Sequence, residues 1–359
     1  MADMGDFTAK LTNNISSVYI IVCAIVIGII IYATYQLNLG NRNCSKIKKY
    51  KPSAAKTIKA ITDGDTIISS ATTLNELYVK TAYNCCCSGE FKNDYVDNCA
   101  LLRCSKQKVR ALHFDIYSLN NRPVIATSSV KGNTYKEVYN SLDMYATMDY
   151  IKTNFINNSS DPLFLIFCVN SNVSTTYESM YTILVEIFGT GNITGNLLYF
   201  TNDLGNAKIL DLCNKVVICV EAYDTTVFYA SSLALITSLN LNGSSKIYRE
   251  TDIIDLYTSN STIEDNLSFK LYPQVLFPNR QAASNNYDFV TTGINYGVSF
   301  IGMCFQKNDG ILQIYKDGFK NYSFINKKYI DGTTVTATGT DVLHYYSTEK
   351  FGKVPTIIY

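Results

Sequence analysis

The run Leu163–Val169, LFLIFCV, carries no polar side chain. A strand this apolar must be covered on both faces, which confines it to a mostly parallel sheet flanked by helices. Lys215–Glu221 (KVVICVE) and Val298–Phe305 (VSFIGMCF) repeat the pattern, and Leu77–Tyr83 and Val109–Tyr117 also read as strands. The second of these turns through Ser118–Arg122, around Asn120 and Asn121, into the apolar run Pro123–Ser128. Thr134–Phe155 has helical spacing at Val138, Leu142, Tyr145 and Met148, and Thr175–Gly189 reads as a helix stopped by glycine. No repeat or Pro-rich linker divides residues 58–359. Strands and helices alternating over that length predict a single α/β domain, a TIM-type (β/α) barrel.

Three shorter segments precede the barrel. Residues 1–17 are polar, and residues 18–37 (VYIIVCAIVIGIIIYATYQL) hold no charge. That span fits one transmembrane helix, with Tyr32 and Tyr35 suited to an interface. A cleaved signal peptide is the rival reading, but no basic region precedes the run and no clean small-residue cleavage site follows it. Residues 38–57 carry Arg42, Lys46, Lys48, Lys49 and Lys51 without an acidic residue, and read as a basic tether. The positive-inside rule then puts the barrel on the cytosolic side. The sequons at Asn158, Asn172, Asn192, Asn266 and Asn321 would stay unmodified there. A net charge of +1 and the lack of a basic-aromatic patch argue against nucleic acid as a partner.

The groups that could carry chemistry are few. Asp115 interrupts an apolar strand, and a buried carboxylate must be paired, coordinated or neutralised. The chain has only two histidines, His113 and His344, and the second reads as a packing or surface residue. Of 11 cysteines, Cys85, Cys86, Cys87, Cys99 and Cys104 cluster in the sequence. Packed or free thiols, a disulfide and a metal site all remain open for them, although no C-x-x-C pair is present.

Several ordered segments resemble phosphoinositide-specific phospholipase C, in the membrane-anchored form carried by large nucleocytoplasmic DNA viruses. They are YVKTAYNCCCSGEFKNDYVDNCALLRC, VRALHFDIYS, RPVIATSS, KLYPQ, SNNYDF and GVSFIGMCFQKNDGILQIYKDGF. The resemblance implies a barrel mouth with two acid-base histidines and a calcium ion held by Asn, Asp and two Glu. It places those roles on Tyr83 and Thr127 for the histidines, and on Asn84, His113, Asp115 and Cys168 for the ligands. The inositol-phosphate lysines fall on Cys219 and Glu221, and the substrate clamp on Lys270 and Tyr272.

Most of these positions have changed type. Tyrosine, with an ordinary pKa near 10, is a poor acid-base group at neutral pH. One carboxylate and one amide do not make the six to eight oxygens calcium takes. The Asn84, His113, Asp115 and Cys168 set would suit a softer ion, except that Asn ligates zinc poorly. The expectation is therefore a pseudoenzyme without a cofactor. Its expected place is the internal membrane of a virion, as a structural protein contacting capsid or other virion proteins. A headgroup-binding module using Lys270, Tyr272 and Asn84 is one alternative, and a residual phosphoric diester hydrolase using His113 and Asp115 is another.

Overall fold

A computed structural model describes residues 3–58, 68–130, 132, 134–189, 196–258 and 271–327. Lys270, His344, Asn192 and Asn266 lie outside the described residues.

Eight parallel strands form the sheet that positions everything else: β1 (Leu77–Ala82), β2 (Ala111–Leu119), β5 (Leu163–Val169), β7 (Val216–Ala222), β8 (Thr237–Asn240), β9 (Ile247–Arg249), β10 (Val275–Phe277) and β11 (Phe300–Met303). Their order around the sheet is β8-β7-β5-β2-β1-β11-β10-β9. Among the described residues no ladder joins β8 to β9, so the curled sheet is open along that seam. The intervening strands are short: β3 (Arg122–Ala126) and β4 (Leu142–Asp143) extend β2 in antiparallel fashion, and β6 (Leu198–Tyr199) pairs with the start of β7. β12 (Phe324–Asn326) runs antiparallel to β1.

Alternation along each strand divides the core into two layers. Val79, Ala111, Phe164, Ile166, Val217, Cys219, Val275, Phe277 and Phe300 fill the barrel interior. Tyr78, Leu112, Phe114, Leu165, Phe167, Ile218 and Ile301 face outward onto helices. The LFLIFCV strand is buried at every position, as its composition requires. At about 1.5–3 kcal/mol per large apolar side chain, such strands supply much of the driving force for closing the sheet.

The helices covering the barrel include α3 (Asn98–Lys106), α4 (Met144–Ile151), α5 (Ser174–Phe188), α6 (Thr225–Ala230), α7 (Glu250–Thr258) and α8 (Gly310–Gly318). α4 begins ten residues later than the apolar spacing from Thr134 suggested, because Asp143 caps it by accepting from the Ala146 N–H at 2.9 Å. Before that cap, the chain is held by backbone pairing of Glu137 with Thr127 and of Tyr139 with Asp94, which competes with a helix. The β2–β3 turn is tighter than Ser118–Arg122. Asn120 and Asn121 both take left-handed φ values, 51° and 62°, as a two-residue hairpin needs.

The N-terminal part holds α1 (Asp3–Leu37) and α2 (Leu39–Ile47). Val18–Leu37 within α1 is a helix long and apolar enough to cross a membrane, with none of it buried against the barrel. The segment expected to be a basic tether is folded instead. Ile47 is buried, Asn43 donates to Asp94 at 3.0 Å, and Cys44 is disulfide-bonded to Cys99 at the start of α3. The cysteine cluster divides between two of the alternatives left open for it. Only Cys99 of the five is bonded, and to a partner outside the cluster, while Cys85, Cys86, Cys87 and Cys104 are buried free thiols.

Candidate functional site

The C-terminal ends of parallel barrel strands converge on one face, and inward-pointing residues there form the mouth. Period-two alternation carries His113 and Asp115 of β2, Cys168 of β5, Glu221 of β7 and Arg249 of β9 to that face. Tyr83 and Asn84 follow β1, and Arg280 follows β10. Tyr83, His113 and Asp115 are fully buried, and Asn84, Cys168 and Arg249 are nearly so.

The carboxylate has a partner that neither its neighbours in sequence nor the motif order pointed to. Arg280 grips Asp115 through both oxygens, Nη2 to Oδ1 at 2.6 Å and Nη1 to Oδ2 at 3.0 Å. Asn170 adds a longer contact to Oδ1 at 3.4 Å. Burial would raise the Asp115 pKa, but the Arg280 charge, aided by His113 and the hydrogen bonds, outweighs it and holds the carboxyl below its ordinary range. Asn84 and Tyr83 leave their side-chain polar atoms unpaired.

His113 is fixed in one tautomer. The Asn84 backbone N–H donates to Nδ1 at 3.2 Å, which requires the lone pair there and places the proton on Nε2. That Nε2–H faces the Cys168 Sγ at 3.0 Å, and the Cys168 thiol donates onward to Glu221 Oε2 at 3.1 Å. Burial pushes the imidazole down to about 3 and the thiol well above its usual value. The relay is therefore a neutral imidazole and a protonated thiol at neutral pH. Phe277 packs edge-on to His113 at 4.5 Å and lies 4.7 Å from Tyr83.

Metal binding can be weighed on the same geometry. Ligand atoms of His113, Asp115 and Cys168 lie within 4.8 Å of one another. A zinc ion at Nε2 would need the nitrogen that carries the proton, and either zinc or calcium would have to compete with Arg280 for Asp115. The donor set present does not fit a hard cation.

Thr127 sits at the edge of this group. Its hydroxyl donates to the Phe91 carbonyl at 3.0 Å, and Phe91 packs edge-on against Tyr83 at 5.4 Å. Tyr272 is elsewhere. It precedes β10 and is exposed, and its neighbour Leu271 accepts from Asn75 just ahead of β1. That puts it at the N-terminal end of the strands, opposite the mouth. Among the described residues, the cations at the mouth include Arg280 and Arg249. The Arg249 guanidinium lies 5.2 Å above the Tyr83 ring and bonds the Pro278 carbonyl, with Nε and Nη2 unpaired. Both arginines directly follow or end apolar strand runs, IYR and VLFPNR, which is the one sequence signal that marks them.

No family model matches the chain, and no curated protein sequence does. Solved structures do match. The crystal structure of L. pealei PLC21 aligns with a TM-score of 0.56 at 14% identity, over 73% of this chain and 38% of that one. That of S. officinalis PLC21 gives the same figures. The fold is a phospholipase-C-like barrel. A calcium-dependent phosphoinositol-specific phospholipase C from Pseudomonas sp aligns more loosely, with a TM-score of 0.45 at 11% identity, over 74% of this chain and all of that one. The chain thus spans well under half the length of the two PLC21 proteins, and at these identities the likeness concerns the phospholipase-C-like architecture alone.

Proposed function

We propose that this chain is a membrane-anchored phospholipase-C-like barrel without hydrolase chemistry, acting as a structural scaffold on the membrane its first helix spans. The observation that carries the reading is the occupied state of the mouth. Asp115 is locked to Arg280, and His113 is neutral with its proton directed to Cys168. Thr127 stands where the resemblance requires a second histidine. Phosphodiester cleavage needs one group to take the hydroxyl proton and another to protonate the leaving oxygen, and neither is poised here. A resident calcium ion is likewise absent from this reading, because Asp115 is already engaged. The resemblance to viral versions supports a place at a virion internal membrane, with capsid or other virion proteins as partners. The basic run after the span supports a cytosolic barrel. The test is release of inositol phosphate from labelled phosphatidylinositol by the full chain in vesicles, with and without calcium. No release is expected; release that disappears in Asp115→Asn would overturn the reading.

A second reading has its own observation. Tyr83 Oη, the Asn84 amide, Arg249 Nε and Nη2, and Arg280 Nε are buried together without partners. Such groups cost about 1–3 kcal/mol each, and an anionic headgroup reaching the mouth would satisfy several at once. Phosphoinositide vesicles offered to Arg249→Leu and to the unaltered chain test it. Equal binding by both removes this reading and leaves the scaffold.

A further inference from the structure

The join between the apolar helix and the barrel has no slack. α1 ends at Leu37 and α2 begins at Leu39, and the one residue between them, Asn38, keeps helical angles (φ −91°, ψ −3°). Backbone hydrogen bonds of helical spacing run to either side of it. The Asn38 N–H donates to the Thr34 carbonyl at 3.2 Å, and the Arg42 N–H donates to the Asn38 carbonyl at 3.0 Å. Arg42 also lies over the Tyr35 ring, 4.5 Å from its centroid, bracing the same turn. α2 is fixed to the barrel in its turn by the Cys44–Cys99 disulfide and the Asn43–Asp94 hydrogen bond. Gly40 sits directly against Tyr95, so that a Cβ there would stand 3.3 Å from the tyrosine ring.

That spacing sets the height of the barrel over a bilayer. The 20 residues ending at Leu37 match a hydrocarbon core of about 30 Å at about 1.5 Å per helical residue. Gly40 then lies about 4.5 Å past the end of the span, inside a headgroup layer about 5–7 Å deep. Tyr95, which Gly40 touches, shares that depth, and Tyr139 packs on Tyr95 with ring centroids 5.3 Å apart. The loop that carries Tyr139 is tied to the same place by its backbone. The Tyr139 N–H donates to the Asp94 carbonyl at 2.9 Å, and the Asn93 N–H donates to the Glu137 carbonyl at 3.0 Å. This loop leaves β3 at Ala126, which pairs with Asp115 at the mouth end of the barrel. It presents Tyr135, the most exposed large apolar side chain among the described residues at 78%, together with the exposed Val130 and Tyr139. Exposed apolar residues scattered singly need no explanation, but here three share one loop beside the end of an apolar helix. Tyrosine, with an apolar ring and a polar tip, suits the headgroup level.

We propose that Val130, Tyr135 and Tyr139 form a footing in the lipid interface of the membrane that α1 spans. The barrel then stands on the bilayer with one side of its mouth against it, at a height and orientation set by α2 and its disulfide, and does not swing on a tether. The inference rests on the reading of α1 as a membrane span.

The chain has no tryptophan, so one Tyr→Trp substitution supplies a single indole fluorophore. The test reconstitutes the full chain carrying Tyr135→Trp in phosphatidylcholine vesicles, with and without bromine on the acyl chains close to the headgroup. Blue-shifted emission and loss of intensity in the brominated vesicles are expected, and the same for Tyr139→Trp. Tyr272→Trp, at the opposite end of the barrel, is expected to keep its intensity. Co-flotation of the chain with the vesicles after an alkaline wash reads the anchor separately. A chain that floats while Tyr135→Trp and Tyr139→Trp stay unquenched overturns the footing alone, and a chain that does not float overturns the anchor and the footing together. Equal quenching at all three positions means a barrel with no fixed face to the lipid, and overturns the proposal. A blue shift without quenching that grows with protein density assigns the loop to a second copy of the chain, and equally overturns it.

Discussion

Asp115 and His113 sit two residues apart on one strand, and burial acts on them in ways that a titration can read. The His113 pKa falls to about 3 in the fold, against an ordinary value near 6.5. The unfolded chain therefore binds the extra proton first, and stability drops as pH falls from about 6.5 towards 3. Asp115 is also lowered, so its contribution is present above the ordinary carboxylate pKa near 4 and lost as pH falls below it. His113→Gln should flatten the upper part of that acid limb, and Asp115→Asn the lower part, in urea midpoints measured between pH 7 and 3. Removing Arg280 leaves a buried carboxylate alone. Arg280→Met should cost about 3–5 kcal/mol, and the double variant with Asp115→Asn should recover part of that loss in the same measurement. Gly302 is a further single-residue constraint. A Cβ there would run into the Phe277 ring that packs on His113. Gly302→Ala is expected to destabilise by about 1–3 kcal/mol.

At the scale of elements, α2 and α3 are the pair the sequence hid. Basic residues and asparagines in 38–57 look like a solvated tether, yet the disulfide of Cys44 with Cys99 and the Asn43–Asp94 contact hold this stretch on the barrel. Closing a loop of this length stabilises by about 2–4 kcal/mol. Cys44→Ser should lower the urea midpoint accordingly. Mass spectrometry of non-reduced digests should find the Cys44–Cys99 peptide pair, with Cys85, Cys86, Cys87 and Cys104 alkylated only after denaturation. The strands were easier. LFLIFCV, KVVICVE and VSFIGMCF announced themselves because a strand covered on both faces leaves no position for a polar residue. The helix from Thr134 misled because its apolar spacing is satisfied by a loop whose backbone pairs with Thr127 and Asp94.

For the whole molecule, the disulfide and the basic run after the span make opposite demands on compartment. Disulfides persist where conditions are oxidising, and in the cytosol only with a dedicated oxidase. A cytosolic barrel is expected to leave Asn158 and Asn172 unglycosylated although both are exposed. An endoglycosidase-sensitive mobility shift of the expressed chain, lost on replacing these two residues, would place the barrel across the membrane instead.

The sequence by itself determined the α/β barrel and the apolar helix ahead of it. These follow from local pattern, since strand burial and helix length are properties of neighbouring residues. Only the tertiary structure decided the partners of the mouth. Arg280 lies 165 positions from Asp115, and the guanidinium that neutralises it cannot be told from a surface arginine by its neighbours. Tyr272 and Arg280 are close in sequence, but β10 runs between them, and its direction puts one at each end of the barrel.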